Sequence, residues 1–377
     1  MPMKNTTISS LKNNILYVGF FSSRGAMADD FISIGNHLSN YSNLYILTGM
    51  VDSGIIMPEA RSICQLPFNI CKKSSYFRIS NYKQMYKYIR QNPVDIVFFK
   101  TPNPINGVIS FLLRNKPQVY YVHDYKPHSG TNKVINTILK ITDRIMSKYC
   151  SCIVVASDKL KRMLKVEKPL WNKKQVEIVP LGLLDNLVFD LPECEKDIDI
   201  LFFGRIEYYK GVDWFLHIVR KQFTQSRVKI IGRGTQEQLC KDLCLGYDNI
   251  EFINTYVEDM ELANYISRSK IVVLPYRDAT GTQVIQTAFY YKACVIATDV
   301  GSFSEIIDNG INGILIPALD EDAMCSSVNE VLSNADLRMK MGENAHEKVK
   351  KVFDNKMIAL QYISLFEKVI RKENDER

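Results

Sequence analysis

Short apolar runs and longer segments with helical spacing alternate along the first half of the chain. The apolar runs predict strands at 15–21, 43–47, 94–99, 118–122 and 152–156, and the periodic segments predict helices at 27–38, 78–90 and 105–113. The runs are rich in Val, Ile and Phe without polar alternation, which indicates strands buried on both faces. The pattern therefore predicts a parallel sheet covered by helices.

The alternation of predicted strands and helices stops after residue 179 and then starts again. Pro180-Leu-Gly182 is typical of a turn, and residues 183–196 have no clear period. Further strands are predicted at 198–203, 228–231, 250–253, 271–274 and 295–297, with helices between them. Two consecutive α/β units of similar length predict the fold class α/β, with two Rossmann-like, doubly wound domains that face each other across a cleft.

The domain boundaries follow from this pattern. We predict an N-terminal domain over residues 1–185, a linker over 186–197 and a second domain over 198–355. Residues 356–377 form a C-terminal helix with its apolar side chains on one face. We expect that helix to pack back on the first domain.

The composition is that of a soluble protein with enough apolar residues for two cores: 46% of the 377 residues are hydrophobic and 24% are charged. The first apolar run is too short for a signal peptide, and no run approaches the ~18 apolar residues of a membrane span. The nine cysteines are scattered, without a Cys-x-x-Cys pair, as expected of reduced core thiols. These features predict a cytoplasmic protein.

The charge is unevenly distributed. Residues 1–190 carry 25 basic and 12 acidic side chains, a balance of +13, whereas residues 191–377 carry 23 and 29, a balance of −6. The first half is therefore expected to face an anionic partner. Zinc-finger spacing, a recognition-helix motif and an RNP-type aromatic signature are all missing, which argues against nucleic acid.

The predicted helix 78–90 interleaves cations with aromatic residues. Lys83, Lys87 and Arg90 share one face, and the other face is predicted to hold Ile79, Tyr82, Tyr86 and Ile89. This pattern fits a surface helix with a core stripe, and it also fits a helix that lies on an anionic membrane. A second basic run, Lys159–Lys174, holds six lysines and Arg162.

Candidate ligand-binding residues follow several strands, because parallel α/β sheets bind ligands at the carboxyl ends of their strands. After strand 198–203, Gly204 lets the chain leave the sheet, and Arg205 and Lys210 then stand near a helix start, which suggests a diphosphate clamp. After the first strand, Gly25 fits either a close approach to a ligand or a simple tight turn. The segment Pro275–Gln286 has the small hydroxyl and glycine residues of an anion cradle.

Several segments together resemble glycosyltransferase family 4, whose members have the two-domain GT-B fold and retain the anomeric configuration. The segments are GRIEYYKG, the IIGRG turn, LPYRDATGTQVIQTAF, VIATDVGSFSEII and NGINGILIP, in order along the second domain. The resemblance reaches the first domain through Pro180-Leu-Gly182 and the stretch VHDYKPHSG, residues 122–130.

The resemblance implies roles for particular residues. It places Arg205 and Lys210 at the departing diphosphate of a nucleotide-sugar donor, and His123 beside the transferred sugar, as the catalytic set. The implied donor-binding residues are Gly25, Gly204, Arg233, Tyr256, Val257, Tyr276, Thr280, Gly281, Thr282, Gln283, Val284 and Glu305. Asp124 and His128 are expected on the acceptor side of His123.

One departure from the family pattern concerns its two glutamates, spaced Glu-x7-Glu. The corresponding positions here are Ala279 and Thr287, neither of which is acidic. The sequence therefore looks like a sub-branch without this pair, and Glu305 is the nearest remaining candidate carboxylate. This departure keeps open a weakened or unusually selective donor site.

Neither a metal nor another cofactor is expected, apart from the nucleotide-sugar co-substrate. Asp197-Ile-Asp199 imitates a metal-binding Asp-x-Asp, but it opens a strand far from the strand carboxyl ends, so a structural role is predicted. His123 and His128 are five residues apart in a proline-containing loop, with no cysteine nearby and no evident third ligand, which argues against zinc.

These features predict a retaining glycosyltransferase that moves a hexose or related sugar from a nucleotide sugar to a lipid-linked glycan acceptor. The expected pathway is surface-polysaccharide or glycolipid biosynthesis, and the expected location is cytoplasmic, at the inner face of the cytoplasmic membrane. Two alternatives stay open. One is a sugar-nucleotide epimerase with the same two-domain fold, and the other is a non-catalytic nucleotide-sugar-binding protein.

Overall fold

The structure is a computed structural model that describes residues 12–21, 25–49, 57, 59–68, 73–123 and 133–375. The chain divides into two compact units. The first comprises Met1–Val155, Lys161–Val179 and Asn355–Arg377, and the second comprises Ala156–Leu160 and Pro180–Asp354.

The first unit contains a seven-stranded, entirely parallel sheet in the order β3-β2-β1-β4-β5-β6-β7. Its strands are β1 Asn14–Gly19, β2 Asn43–Gly49, β3 Ser62–Leu66, β4 Ile96–Phe99, β5 Gln118–Val122, β6 Cys152–Val155 and β7 Gln175–Ile178. Helices in this part of the chain are α1 Ala26–Ser39, α2 Ile79–Gln91, α3 Ile105–Leu112, α4 Lys133–Tyr149 and α5 Asp158–Glu167. The buried β-rich runs thus form the parallel sheet that the sequence predicts.

The strand order of this sheet reverses between β1 and β4. The chain runs outward from β1 through β2 to β3 and then returns to place β4 on the other side of β1. Strand β1 ends at Gly19, two residues before the predicted end, because the Phe20 N–H donates to Thr101 Oγ1 (2.9 Å) instead of a neighbouring strand. The carboxyl ends of β4 and β5 lead directly to Lys100 and His123.

The C-terminal helix α13, Asn355–Asp375, belongs to the first unit, as predicted. Its Tyr362 and Phe366 rings lie 4.8 and 5.1 Å from the ring of Phe98 in β4, measured between centroids. Tyr362 and Phe366 are fully buried. The helix therefore completes the core on one face of the first sheet.

The second unit contains a six-stranded parallel sheet in the order β10-β9-β8-β11-β12-β13. Its strands are β8 Ile198–Phe203, β9 Val228–Ile231, β10 Ile250–Ile253, β11 Ser269–Leu274, β12 Cys294–Thr298 and β13 Ile314–Ile316. Its helices are α6 Val212–Gln222, α7 Glu237–Cys244, α8 Asp259–Ser267, α9 Val284–Tyr290, α10 Phe303–Ile306, α11 Glu321–Ser333 and α12 Ala335–Lys348. The order reverses between β8 and β11, and this reversal marks the place where open α/β sheets bind ligands.

The boundary between the units falls at Pro180, and the segment predicted as a linker, 186–197, groups with the second unit. The Tyr291 hydroxyl ties this segment to the end of α9. It donates to the Leu187 carbonyl (2.8 Å) and accepts from the Phe189 N–H (3.0 Å). The aperiodic sequence is thus an ordered surface segment.

Helix α2 has a different buried face from the predicted one. Its buried residues are Asn81, Met85 and Ile89, whereas Ile79 is 71% exposed and Tyr86 50% exposed. The predicted buried face of α2 is therefore wrong at Ile79 and Tyr86. The Asn81 side chain can occupy the core face because its amide donates to the Ser75 carbonyl (3.2 Å).

Within the described part of the chain, no helix has both the length and the apolar character needed to cross a bilayer.

Candidate functional site

Lys210 stands at the centre of the candidate site in the second unit. It ends a short 3-10 turn, Tyr208–Lys210, that follows β8. Its side chain is buried, and Nζ donates to the Tyr276 hydroxyl at 2.5 Å, with 4.4 Å between Nζ and the centre of the Tyr276 ring. Burial lowers the pKa of Lys210 to about 8. The group is thus a desolvated ammonium that is still mostly charged at neutral pH.

Two glycine turns pack against each other, and the first of them lies beside this ammonium. Gly204 follows β8 with φ +126°, and Gly232 follows β9 with φ +151°. A Cβ placed on Gly232 would lie 1.8 Å from the Gly204 carbonyl oxygen, and a Cβ placed on Gly204 would lie 3.7 Å from Lys210 Nζ. Glycine is therefore required at Gly232 by both the contact and the backbone angle.

We expect Gly232→Ala to lower the free energy of unfolding by roughly 3 kcal/mol, because the new methyl group overlaps a backbone oxygen. Gly246→Ala is the matched control: Gly246 has φ +80°, and a Cβ placed there would have no heavy atom within 4 Å, so only ~1–2 kcal/mol of backbone strain is expected. Chemical denaturation of both variants measures the difference. Equal losses would contradict a role for the contact between the two turns.

Arg205 also follows β8, and its side chain is 74% exposed. Its guanidinium donates to Glu207 (2.8 Å), and the other oxygen of Glu207 accepts from the Thr235 hydroxyl (2.6 Å). Burial raises the pKa of Glu207, but the hydrogen bonds from Thr235 and Arg205 outweigh it, so the pKa is lowered overall. A carboxylate thus holds Arg205 in a position where an anionic ligand could compete for it.

Arg277 and Asp213 hold the turn that carries Lys210, and sequence reasoning missed both. The guanidinium makes two hydrogen bonds to the Asp213 carboxylate (2.7 and 2.9 Å) and one to the Tyr208 carbonyl (2.8 Å). The Arg277 N–H donates to the Tyr209 carbonyl (2.7 Å). Burial raises the pKa of Asp213, but the bonds from Arg277 reverse this and lower it. The arginine was visible in the motif LPYRDATG, but nothing local to it marked Asp213 as its partner.

The loop between β11 and α9 supplies the acceptor for Lys210. Tyr276 is buried, which raises the pKa of its hydroxyl, and a hydrogen bond with Thr282 acts in the opposite direction. Thr282 also accepts from the Val284 N–H at the start of α9 (3.3 Å). The Thr280 carbonyl accepts a hydrogen bond from the Ser302 hydroxyl (3.0 Å). The loop also packs closely against Gly301, because a Cβ placed on that glycine would lie 2.4 Å from the Ala279 carbonyl oxygen. These contacts fix Tyr276, Thr280, Gly281 and Thr282 near one another.

Two of the predicted donor-binding side chains are packed inside the second unit. Gln283 is buried, and its amide donates to the Gly182 carbonyl (3.0 Å), while Val257 is part of the hydrophobic core. Thr287, at the second position of the missing glutamate pair, is buried and donates to the Gln283 carbonyl (3.0 Å). A ligand role for Gln283 and Val257 stays a prediction, and it would have to involve their backbone.

Three other predicted donor-binding side chains are exposed in the second unit. Arg233 is 67% exposed with its Nε 3.8 Å from Glu237, and Tyr256 is 64% exposed. Glu305 accepts hydrogen bonds from the N–H groups of Asp158 and Lys159 (2.8 and 2.7 Å), which group with the same unit. Glu305 therefore already accepts from two backbone N–H groups, and its contact with the nucleotide-sugar donor stays a prediction.

In the first unit, Gly25 precedes α1 with φ 162°, an extended conformation, and is exposed. His123 follows β5, and its Nε2 lies 2.9 Å from the Lys100 carbonyl oxygen. Its ring packs against Tyr121, with the ring centroids 4.6 Å apart. The predicted acceptor-side residues Asp124 and His128 lie outside the described residues.

The two aspartates that imitate a metal motif are both paired with cations. Asp197 accepts from Nε of Arg268 at 2.8 Å and from a second guanidinium nitrogen of the same residue, and Asp199 accepts from Lys270 at 2.7 Å. The hydrogen bonds from Arg268 lower the pKa of Asp197. At Asp199, burial raises the pKa, but hydrogen bonds from Lys270 and the Arg227 N–H outweigh this effect and lower it. This geometry agrees with the structural role predicted for the pair.

Comparison with known proteins assigns both halves of the chain to glycosyltransferases. The family described as "Glycosyltransferase Family 4" matches residues 57–183, and the family described as "Glycosyl transferases group 1" matches residues 185–348.

Two mannosyltransferases are among the relatives whose names state an activity. The phosphatidyl-myo-inositol mannosyltransferase of Mycolicibacterium smegmatis is 22% identical over 81% of this chain and 79% of its own length. The O-antigen chain mannosyltransferase C of Escherichia coli is 23% identical over 74% of this chain and 77% of its own length.

Solved structures share the fold. Sucrose-phosphate synthase from Thermosynechococcus elongatus superposes with a TM-score of 0.77 at 18% identity and covers 96% of this chain and 100% of that one. HepE from Anabaena, solved with UDP and glucose, gives a TM-score of 0.74 at 15% identity, covering 94% and 100%. The two parallel-sheet α/β domains of this protein thus have GT-B neighbours, and the chain belongs to the family 4 glycosyltransferases.

Proposed function

We propose that the protein is a retaining glycosyltransferase that moves a hexose or related sugar from a nucleotide sugar to a lipid-linked glycan acceptor. The observation that carries the proposal is the buried ammonium of Lys210 beside the glycine turn after β8. The donor class is supported by HepE of Anabaena, which was solved with UDP and glucose. A role in surface-polysaccharide or glycolipid biosynthesis is supported by the phosphatidyl-myo-inositol and O-antigen mannosyltransferases.

In this proposal the main chemical task is to stabilise the departing nucleoside diphosphate. Negative charge grows on the diphosphate as the bond from the anomeric carbon to oxygen breaks. A desolvated cation aimed at that charge is worth ~3–4 kcal/mol, because no solvent has to reorganise around it. Lys210 is such a cation, and Arg205 is a second one once its guanidinium turns from Glu207 toward the phosphates.

The retaining course is proposed as a front-face displacement. The two positions where the family carries glutamates are Ala279 and Thr287, so neither supplies a nucleophilic carboxylate. Positioning of the two substrates and stabilisation of the leaving group then provide the rate enhancement. The acceptor hydroxyl attacks on the face that the diphosphate leaves, and its proton passes to the departing phosphate oxygen.

We further propose that this reaction is independent of a metal ion. The charge that a divalent cation would neutralise is instead met by Lys210 and Arg205. The Asp-x-Asp formed by Asp197 and Asp199 already has its carboxylates paired with Arg268 and Lys270. Addition of a chelator should leave transfer unchanged.

The proposed activity is tested by incubating the purified protein with labelled nucleotide sugars and acceptor-containing membrane lipid. Transfer is expected to give free nucleotide together with label in the lipid-linked product. Formation of an epimer of the sugar would instead support an epimerase. Binding without any turnover, measured by thermal stabilisation with UDP, GDP, ADP and TDP, would support a non-catalytic binder; a ligand at ~100 times its dissociation constant adds about 2.7 kcal/mol.

We also propose that the first unit docks on the anionic inner face of the cytoplasmic membrane through α2. The exposed face of this helix carries Ile79, Lys83, Tyr86, Lys87 and Arg90. These side chains combine apolar and aromatic groups with cations, as in helices that lie on a membrane surface. Phe77, two residues before the first residue of the helix, is 76% exposed and extends the apolar part of this surface.

Vesicle flotation tests the membrane proposal. The protein should float with vesicles that contain anionic lipid and not with zwitterionic vesicles, because each cation near an anionic surface contributes ~1 kcal/mol. Replacing Lys83, Lys87 and Arg90 by Gln should lower the binding constant by about two orders of magnitude. The matched control replaces three exposed lysines of the second unit, Lys221, Lys241 and Lys350, by Gln and should leave the binding constant unchanged. Equal flotation with both kinds of vesicle would contradict the proposal.

A further inference from the structure

A second surface of the first unit, separate from α2, combines cations with exposed apolar side chains. It extends over α3, α4, the later part of α5 and the turn Pro169–Trp171, and so includes most of the basic run that the docking through α2 does not use. Its exposed apolar residues are Phe111, Ile141, Val166 and Leu170, of which Val166 is 75% and Leu170 55% exposed. Its exposed basic residues are Lys140, Arg144, Lys148, Lys165 and Lys173. These side chains form what we call the α3–α5 surface.

Contacts between the segments make this surface continuous. Helix α4 packs closely on α3, because a Cβ placed on Gly107 would lie 3.4 Å from the Thr142 Cα. Lys168, after α5, pairs with Asp143 of α4 (2.6 Å). Asp143 is the only acidic residue in the sequences of α3 and α4. Since it has this partner, the exposed charge that the structure describes on these two helices is positive.

The side chains of α4 indicate what kind of partner the surface fits. Lys140, Arg144 and Lys148 are spaced four residues apart, so they form a row on one face of the helix. Ile141, three residues before Arg144, is their neighbour on the helix surface and is 53% exposed. A soluble polyanion would bind the cations and leave such apolar side chains in water. An anionic lipid bilayer accepts both groups, the cations at its headgroups and the apolar side chains below them.

The topology places α2, α3, α4 and α5 on one side of the first sheet. From β3 the chain crosses the sheet in a single direction, to β4, β5, β6 and β7, and these four helices belong to the four connections. Parallel crossovers are almost always right-handed, so connections that run in one direction have their helices on the same side. Helix α1 connects β1 to β2 in the opposite direction and lies on the other side, where α13 packs against it.

We propose that the α3–α5 surface lies on an anionic lipid bilayer together with α2, so that the first sheet is parallel to the membrane. This inference deepens the proposed docking through α2 and rests on it. Helix α2 contacts β3 at one edge of the sheet, since the Tyr88 hydroxyl donates to the Ser62 carbonyl (2.9 Å), and α5 precedes β7 at the other edge. Seven strands ~4.8 Å apart span roughly 29 Å. Contacts across this width keep the unit from tilting on the membrane.

Added tryptophans measure contact with lipid without the transfer reaction. Phe111→Trp and Val166→Trp place reporters at two positions of the surface, and Leu239→Trp, 45% exposed on α7 of the second unit, is the matched control. The vesicles contain phosphatidylglycerol and brominated phosphatidylcholine. The fluorescence that each reporter adds to that of the wild type should fall by about half, because an interfacial side chain reaches the acyl boundary. The control should stay unquenched. An unquenched reporter at either position of the surface overturns the proposal.

Removal of the α4 cations tests the electrostatic part of the proposal. Lys140→Gln, Arg144→Gln and Lys148→Gln together should lower the vesicle-binding constant by about two orders of magnitude. The melting temperature should stay the same, since all three side chains are exposed. The three-lysine variant of the second unit that serves as the control for α2 is the matched control here too.

The outcomes separate this inference from the docking through α2. Wild-type vesicle affinity in the α4 variant, with loss of binding in the α2 variant, overturns the inference and leaves the docking through α2 intact. A wild type that binds no anionic vesicles overturns both. Binding to soluble polyphosphate in place of vesicles identifies a soluble anion as the partner and also overturns the inference. None of these results depends on whether the protein transfers sugar.

Discussion

Replacing Lys210 by methionine is expected to lower kcat/KM for sugar transfer by about 10²–10³, the usual effect of removing one preorganised group from a developing negative charge. Methionine has nearly the volume of lysine, so packing against the Tyr276 ring is retained. Burial lowers the pKa of Lys210 to about 8, which means that the fold disfavours this charge. We therefore expect the free energy of unfolding at pH 7 to stay the same or rise. Steady-state kinetics and chemical denaturation measure the two effects.

The pH dependence gives a second test of the same residue. As pH rises through about 8, Lys210 loses its proton in the free enzyme, so wild-type kcat/KM should decline there. Stability should change in the opposite direction: between about 8 and the ordinary pKa of 10.5, the unfolded chain binds one proton more than the folded chain, so this group's contribution rises with pH. Lys221→Met, on the exposed side of α6, is the control and should keep both the rate and the alkaline decline. A Lys210→Met variant with wild-type kcat/KM would rule out the leaving-group role.

Replacing His123 by alanine is expected to lower kcat/KM for transfer by about 10² or more. The imidazole is the proposed contact to the donor sugar, and loss of that contact lets the sugar leave its reactive position. Affinity for the nucleoside diphosphate should stay within about threefold, because the proposed phosphate ligands, Arg205 and Lys210, belong to the second unit. Calorimetric titration with UDP and transfer kinetics measure the two quantities.

The matched control for His123→Ala is His217→Ala, which removes an exposed imidazole from α6. It should leave both transfer and nucleotide affinity unchanged. Thermal melting should accompany the assay, since the His123 ring packs against Tyr121. A His123→Ala protein that is folded and transfers sugar within threefold of the wild-type rate would remove this residue from the catalytic set.

Much of the fold could be predicted because the central strands are buried on both faces and read as continuous apolar runs. The edge strands β3, β7 and β13 were not predicted. Edge strands are short and have one side open to solvent, so the sequence of β3, SICQL, mixes polar with apolar residues. Helix α2 was predicted, but the face that it buries was not. Apolar residues occur around most of its circumference, and a polar residue, Asn81, faces the core.

The candidate site likewise contains residues that could be predicted from the sequence and residues that could not. The positions of Gly204 and Lys210 could be predicted because both lie in the short segment that follows β8, which the local sequence reveals. The partners that hold them could not, since Arg277 and Asp213 are 64 residues apart and meet only in the folded unit. The ion pair of Lys100 with Asp30 is another such contact between a strand end and a distant helix. No local pattern encodes contacts of this kind.

The assignment of α13 to the first unit has a consequence for the order of biosynthesis. The ribosome makes the strands of the first sheet early, but the helix whose Tyr362 and Phe366 cover Phe98 comes after the entire second unit. Domains generally fold as they emerge, from the N-terminus onward. Here the N-terminal unit must wait with an uncovered aromatic surface while the second unit emerges and folds, so the part of the protein that is made first is completed last.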